Sequence, residues 1–279
     1  MKEKALLIIK GFVFGLANII PGVSGGTIAL TMGVYESLIS SIGHFFERPK
    51  ECLKFLIPFG IGAVLSILLM SKLISFSLAK YPLPTTLFFT GLILGGIPLL
   101  TRKVKGSMQS VENILLFFIP FCLIIIMNFI KIGNGSISLD SLSVVTFFLL
   151  FIVGVIAAIT MVVPGVSGSF VLMLLGFYKP LVNTVSKLTD FSLVGHNLLV
   201  LIPFGIGVLL GTIFIAKLIE KLFKKYKIKT YCAILGFVVA SVIVLIISAF
   251  SANISLLQLL VGSVLFVIST ILGYKLGDD

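Results

Sequence analysis

The sequence predicts an all-α polytopic membrane protein, built as an inverted-topology internal repeat with two broken or re-entrant helical hairpins. Of its 279 residues, 58% are hydrophobic and only 11% are charged, and the mean hydropathy is +1.25. A water-soluble domain of this length needs far more surface charge. Apolar runs such as Asn113 to Ile130 and Tyr231 to Phe250 are long enough to cross a hydrocarbon core of roughly 30 Å as helices.

Charges, prolines and glycines divide the sequence into ten hydrophobic segments, each treated as one helix. The chain begins with basic residues that are followed by an apolar run. This stretch has no small-residue cleavage site, so we interpret it as the first membrane helix and not as a cleaved leader. The segments are Ala5 to Ile20, Gly26 to Phe45, Leu53 to Leu78, Pro84 to Leu100, Asn113 to Ile130, Val144 to Val163, Phe170 to Val185, Asn197 to Leu218, Tyr231 to Phe250 and Leu256 to Tyr274.

The distribution of basic residues predicts the orientation. The N-terminus is placed in the cytoplasm, and each segment reverses the direction of the chain. Of the 21 lysines and arginines, five then fall outside or near the outer interface: Lys72, Lys80, Lys131, Lys179 and Lys187. This asymmetry predicts a multi-pass membrane protein with both termini in the cytoplasm. The net charge of +11 is then explained by topology and contact with anionic membrane lipids, and not by nucleic-acid binding.

A long motif occurs twice in the chain. The stretch "GFVFGLANIIPGVSGGTIALTMGVY" (Gly11 to Tyr35) aligns without a gap on "GVIAAITMVVPGVSGSFVLMLLGFY" (Gly154 to Tyr178), 143 residues later. The heptapeptide "LIPFGIG" also occurs twice, at Leu56 to Gly62 and at Leu201 to Gly207. Two matches in the same order indicate an internal duplication. We therefore predict a first membrane repeat over 1–141 and a second over 142–279, forming one integrated transport domain.

Each predicted repeat holds five segments, an odd number, so the second copy is expected to enter the membrane from the opposite side. Inverted repeats of this kind occur in many secondary transporters, which bind their substrates near the midplane between the copies. The first segment, Ala5 to Ile20, would be about 24 Å long as a helix, slightly short of the hydrocarbon core. A re-entrant hairpin is therefore favoured over two full crossings, and the inversion holds in either case.

The paired "PGVSG" stretches are the predicted site. The prolines end a helix, the glycines let the backbone turn close to a ligand, and the helices that follow present free N–H groups beside serine and threonine hydroxyls. Two such breaks predict an anion site, although a Pro-Gly kink that only lets helices pack closely stays an alternative. The candidate substrate-binding residues are Pro21, Gly22, Ser24, Gly25, Gly26, Thr27, Pro164, Gly165, Ser167, Gly168 and Ser169.

Four further residues are candidates for coupling or for pairing with phosphate. Glu36 lies inside a predicted segment, where a carboxylate could couple transport to protons, or it could simply lie at the cytoplasmic interface. Lys72 and Lys217, which match each other in the repeat, could pair with phosphate or extend toward the membrane surface. Asn18, one turn before Pro21, is another polar candidate, although its counterpart Met161 is apolar.

The paired PGVSGGT and PGVSGS motifs, together with the repeated LIPFGIG, resemble the bacterial polyprenyl-phosphate (undecaprenyl-phosphate) transporter family, PopT. The resemblance spans nearly the whole chain. It implies a membrane lipid translocase, not an enzyme, that returns undecaprenyl phosphate from the outer to the inner leaflet as the lipid carrier of cell-wall synthesis. It extends to the two motif stretches only and assigns no role to Glu36 or to the lysines. No cofactor or metal is expected.

Two other functions stay open from the sequence. Undecaprenyl-pyrophosphate phosphatases also use inverted repeats and a Pro-Gly-x-Ser-Arg-Ser stretch, but Gly25 and Gly168 stand where the phosphate-binding arginine would be. A secondary transporter of another, soluble anion would fit the same breaks. The sequence contains no Walker A, HExxH or GxSxG pattern, so ATP hydrolysis and soluble-type catalysis are unsupported.

Overall fold

A computed structural model describes residues 2–20, 22–130, 143–186, 194–250 and 254–278, and within these ranges the chain forms twelve α-helices and no strand. The predicted all-α fold class is therefore confirmed. Pro21, Lys131, Lys187 and the predicted repeat boundary between residues 141 and 142 lie outside the described residues. The helices are α1 (Lys2–Ile19), α2 (Gly25–Thr31), α3 (Tyr35–Gly43), α4 (Pro49–Lys80), α5 (Pro82–Val104), α6 (Val111–Phe129), α7 (Val144–Val162), α8 (Gly168–Leu174), α9 (Tyr178–Ser186), α10 (Val194–Lys225), α11 (Lys227–Ala249) and α12 (Leu256–Asp278).

Seven helices in the described part of the chain are long and apolar enough to cross a membrane: α4, α5, α6, α7, α10, α11 and α12. Many of their large apolar side chains point away from the protein interior. Leu68 of α4 is 71% exposed and Phe129 of α6 is 72% exposed. Such a surface is suited to lipid and not to water, so this is a multi-pass membrane protein.

Two of the ten predicted segments, Gly26 to Phe45 and Phe170 to Val185, are each two helices and not one. The first divides at Gly33 (φ 69°) and the second at Gly176 (φ 78°), and α8 and α9 are bent by 113°. At both positions the backbone N–H of the next residue reaches back five residues, Val34 to Ala29 O and Phe177 to Leu172 O. This glycine cap satisfies the last carbonyls of a helix and ends it.

The two halves of the chain contain the same series of helices. From α1 to α6 the lengths are 18, 7, 9, 32, 23 and 19 residues, and from α7 to α12 they are 19, 7, 9, 32, 23 and 23. Helix α1 packs on α4 as α7 packs on α10, while α6 packs on α11 and α12 packs on α5. The last helix of each half therefore packs on the other half. This correspondence supports the duplication, while the inverted orientation of the halves in a membrane stays a prediction.

The repeated LIPFGIG heptapeptide lies where helices approach each other closely. A Cβ atom on Gly62 would clash with the carbonyl oxygen of Ile8 in α1, and one on Gly207 would clash with that of Phe151 in α7. The other glycine of each heptapeptide, Gly60 or Gly205, has open space where its Cβ would lie. The second glycine therefore sets the spacing of α1 on α4 and of α7 on α10, which is the small-residue packing common between membrane helices.

We expect Gly62→Ala to destabilise the protein by about 1–3 kcal/mol, because the added methyl group forces α4 away from α1. Gly60→Ala is the matched control on the same helix, and alanine there is expected to leave stability unchanged or to raise it, since alanine favours helix. Melting temperatures of the detergent-purified variants measure both effects. Equal melting temperatures for the two variants would contradict this account of the heptapeptide.

Candidate functional site

Helix α2 runs back beside α1 after the first break. The ammonium group of Lys10, in the middle of α1, donates a hydrogen bond of 3.0 Å to the carbonyl oxygen of Met32, which caps the C-terminus of α2. Lys10 is only 6% exposed, and its positive charge lies at the helix end where the dipole favours a cation. The C-terminal end of α2 thus lies beside the middle of α1, while a re-entrant hairpin at this place stays a prediction.

The two breaks are in direct contact. The backbone N–H of Gly165 donates a hydrogen bond of 2.6 Å to the hydroxyl oxygen of Thr27, and this pair is buried. A Cβ atom on Gly26 would lie 2.9 Å from the carbonyl oxygen of Val162 at the end of α7. Residues from the two repeats, far apart in the sequence, therefore meet at a single place in the fold.

The backbone turns in the same way at both breaks. Gly22 has φ of 88° and Gly165 has φ of 85°, and the two occupy equivalent positions of the repeat. Positive φ is strained for residues with a side chain, so these two positions require glycine. Pro164 beside Gly165 is fully buried. Both breaks therefore turn the backbone at a position that requires glycine, and close helix packing stays an alternative reason for them.

The hydroxyl groups at the two breaks differ in their hydrogen bonding. Ser167 is the N-cap of α8: its hydroxyl accepts a hydrogen bond of 3.4 Å from the Phe170 backbone N–H and lies 3.0 Å from the Ser169 hydroxyl. Ser24 is the N-cap of α2 and is 6% exposed, yet its hydroxyl has no hydrogen-bond partner among the residues that the structure describes. A buried hydroxyl without a partner is uncommon, so Ser24 stays a candidate for contact with a ligand.

Gly25 and Gly168 lie tightly against the preceding helix. A Cβ atom on Gly25 would clash with the side-chain amide of Asn18, and one on Gly168 would lie 2.6 Å from Cγ of Met161. Asn18 in turn donates a hydrogen bond of 2.8 Å to the carbonyl oxygen of Phe14. Asn18 thus packs against the first break, and its part in coupling or phosphate binding stays a prediction. The structure also gives a packing reason why neither position holds an arginine.

Tyr35 connects α3 to the second break. Its hydroxyl donates a hydrogen bond of 3.0 Å to the carbonyl oxygen of Val162, and the side chain is 2% exposed. A phenol is protonated at physiological pH, so the hydroxyl can donate this bond. The sequence analysis missed Tyr35, whose only signal was its place at the end of the duplicated stretch, opposite Tyr178.

Glu36 lies in the first turn of α3 and not within a continuous helix from Ser24, because the chain turns at Gly33. Its side chain is 46% exposed, accepts a hydrogen bond from the Tyr231 hydroxyl and lies 3.7 Å from the ammonium group of Lys227. Both partners belong to α11. The cavities beside Glu36 are also lined by Lys103 of α5 and by Glu220 and Lys224 of α10. This places Glu36 at the end of the bundle that is predicted to face the cytoplasm.

The two candidate lysines, Lys217 and Lys72, lie on the long helices α10 and α4. Lys217 of α10 forms an ion pair of 3.0 Å with Glu47, which follows α3. The hydrogen bond from Lys217 and the nearby positive charges hold the pKa of the Glu47 carboxyl below its ordinary value. Lys72 is exposed on α4. Lys217 thus lies at the C-terminal end of α3, so the contacts that the structure gives do not join it to the breaks.

Comparisons with known proteins agree with the resemblance in the motifs. The sequence profile of a family described as "VCA0040-like: Undecaprenyl phosphate translocase-like" matches residues 14–258. A "Polyprenyl-phosphate transporter" from Staphylococcus aureus is 33% identical over 279 residues, which are 98% of this chain and 96% of that protein. A protein with the same name from Vibrio cholerae serotype O1 is 30% identical over 243 residues, 82% of this chain and 73% of that protein. No solved structure matches the chain. On the length and identity of these matches, the chain belongs to the VCA0040-like, undecaprenyl phosphate translocase-like family.

Proposed function

We propose that this protein transports a polyprenyl phosphate, and specifically undecaprenyl phosphate, between the two leaflets of the bacterial plasma membrane. Its family and the names of two relatives, which match most of the chain, support a polyprenyl-phosphate transporter. The physical problem in such transport is the head group. A phosphate without partners in hydrocarbon costs tens of kcal/mol by an idealised Born calculation, so the protein has to supply donors along the path.

The phosphate head group binds, in this proposal, where the two breaks meet. The observation that carries it is the contact between the breaks beside the unpartnered, buried hydroxyl of Ser24. Helices α2 and α8 have seven residues each, so their dipoles are short and the hydroxyls and backbone N–H groups provide most of the binding. The phosphate takes the place of the hydrogen bond between Thr27 and Gly165, and Ser167 and Ser169 complete the site. Gly22, Gly25, Gly26, Pro164 and Gly168, together with Pro21, shape the backbone around it.

The direction of transport is from the outer to the inner leaflet, with both termini in the cytoplasm, so that the carrier returns for the synthesis of peptidoglycan and other cell-wall polymers. The basic residues near the α10–α11 junction, among them Lys224, Lys227 and Lys229, favour the orientation with that junction inside. The repeats at 1–141 and 142–279 insert with opposite orientation, so that each break approaches the shared site from its own side.

A phosphatase is less well supported than a transporter. Both relatives are named as transporters. Gly25 and Gly168 occupy the positions where undecaprenyl-pyrophosphate phosphatases have their phosphate-binding arginine. At each position a side chain would clash with the preceding helix. Without that cation, the charge that develops on a phosphate during hydrolysis has one stabilising group fewer.

A leaflet-specific assay of undecaprenyl phosphate in proteoliposomes tests the proposal. Vesicles with the protein are expected to move the lipid between leaflets much faster than protein-free vesicles, with no release of phosphate from the pyrophosphate lipid. Flux of inorganic phosphate in vesicles without polyprenyl lipid would instead support a soluble-anion transporter. Phosphate release by the pure protein would support the enzyme.

Proton coupling through Glu36 is a further part of the proposal. We expect an imposed pH gradient to change the transport rate of the wild-type protein, and Glu36→Gln to remove that response, because the amide cannot take up and release a proton. Glu51→Gln is the matched control: Glu51, in the first turn of α4, is also an exposed carboxylate in an ion pair, 3.4 Å from Arg48. A Glu36→Gln protein with the full response to the gradient would contradict coupling through this carboxylate.

A further inference from the structure

An apolar groove of about 490 Å³ extends from the second break to the end of the helix bundle. It lies between α6, α10 and α11. Val163 and Pro164, the first residues of the second break, form part of its lining together with Tyr35. The groove therefore begins at the place where the breaks meet. Its volume falls within the roughly 300–1,000 Å³ that is usual for ligand sites.

The walls of the groove are apolar, and one side is open. Ile219 of α10 and Ile234 of α11 are 7% and 5% exposed, whereas Leu218 and Leu222 of α10 are 41% and 38% exposed. The groove is thus closed toward the protein interior and open toward the surface, where membrane-spanning helices meet lipid. A hydrocarbon chain can enter such a groove sideways without passing through water.

The far end of the groove is polar. Glu112 in the first turn of α6 and Lys229 in the first turn of α11 form an ion pair there, and Tyr226 lies between α10 and α11 at the same end. Lys229 also lies 5.6 Å from the centre of the Tyr226 ring. The groove therefore connects two polar places, the break and the predicted cytoplasmic surface, by an apolar path.

We propose that this groove binds the isoprenoid chain of the transported lipid, in the part of the chain next to the phosphate. The inference rests on the proposed function, because it uses the head-group position at the breaks. A single chain attached to a phosphate at the break can leave past Pro164, which lines the groove. Burial of the apolar chain against Ile219 and Ile234 then adds to the affinity that the phosphate contacts provide.

The natural absence of tryptophan makes the groove easy to probe. The chain contains no Trp, so Leu218→Trp, in the groove, and Leu209→Trp, a 66% exposed position on the same helix outside the groove lining, each give a protein with one fluorophore. Undecaprenyl phosphate is expected to shift the emission of Leu218→Trp with a saturable dependence on concentration and to leave Leu209→Trp unchanged. Leu222→Trp serves as a second groove probe if Leu218→Trp does not fold.

Three other ligands test which part of the lipid binds in the groove. Undecaprenol, which has the chain but no phosphate, is expected to shift the same emission at higher concentrations, and inorganic phosphate is expected to have no effect. An equal shift with phosphatidylglycerol would show that the groove takes any membrane lipid and would overturn the proposal. So would an absence of any shift at both groove positions.

The leaflet assay separates this inference from the function on which it rests. Transport by the wild-type protein, with no response of either groove probe to undecaprenyl phosphate, would overturn the groove and leave the proposed function standing. A saturable, lipid-specific shift without transport would support the groove as an isoprenoid site and would contradict the transport function.

Discussion

Ser24→Ala is expected to lower the transport rate roughly 10- to 100-fold while it leaves the stability of the protein unchanged or slightly raised. The Ser24 hydroxyl is buried and forms no hydrogen bond within the described part of the chain, so its removal breaks no hydrogen bond there. A hydrogen bond to a charged group contributes about 1.5–3 kcal/mol, and each 1.36 kcal/mol corresponds to a factor of ten in rate. A residue that is needed only for packing would give the opposite pattern.

Initial rates in the leaflet assay and melting temperatures in detergent test this expectation together. Ser263→Ala on α12 is the matched control, because Ser263 is exposed and donates only to the Leu259 carbonyl one turn earlier. Transport by Ser24→Ala at the wild-type rate would show that the Ser24 hydroxyl is not part of the head-group site. A large drop in melting temperature would mean instead that Ser24 has a structural partner.

Much of the fold could be predicted from the sequence, because hydropathy and turn residues are local signals. The ten hydrophobic segments and the duplicated motif correspond to helices and breaks in the structure. The divisions at Gly33 and Gly176 were missed. A glycine in a long apolar run also occurs at close helix contacts, as at Gly62, and the sequence alone does not separate these two uses.

The candidate site was predicted only in part, for a different reason. Both breaks carry their signal in a few consecutive residues, so their positions could be predicted. Contacts between distant residues leave no such signal: Tyr35 meets Val162 across 127 residues, and Tyr231 meets Glu36 across 195. The burial of Lys10 against the end of α2 likewise depends on the way α2 folds back, which a single sequence does not specify.

The duplication also conceals a difference between the two breaks. Ser24 and Ser167 are equivalent in the repeat and both are N-cap residues, yet only the Ser167 side chain accepts a hydrogen bond from a backbone N–H of its helix. Thr27 is matched by Phe170, which has no hydroxyl, so the first break supplies the acceptor and the second the donor of the bond between them. A symmetric site would treat the two leaflets alike. In the proposed site, the two breaks therefore offer the head group unequal sets of hydroxyl groups.

Thr27→Val tests whether the contact between the breaks is part of transport. The substitution removes the hydroxyl that accepts from Gly165 and leaves that backbone N–H buried without a partner, which costs about 1–3 kcal/mol of stability. We expect the transport rate per folded molecule to fall roughly 10-fold or more, because the same hydroxyl is proposed to bind the phosphate when the breaks separate.

Thr27→Ser keeps the hydroxyl and is expected to retain most of both the melting temperature and the rate. Thr27 is fully buried, and the comparison isolates its hydroxyl because serine keeps the group that valine lacks. A Thr27→Val protein that is less stable but transports at the wild-type rate would make the hydrogen bond a structural link only, and the head group would then have to pass elsewhere. Loss of transport in Thr27→Val with recovery in Thr27→Ser would place the path of the phosphate between the two breaks.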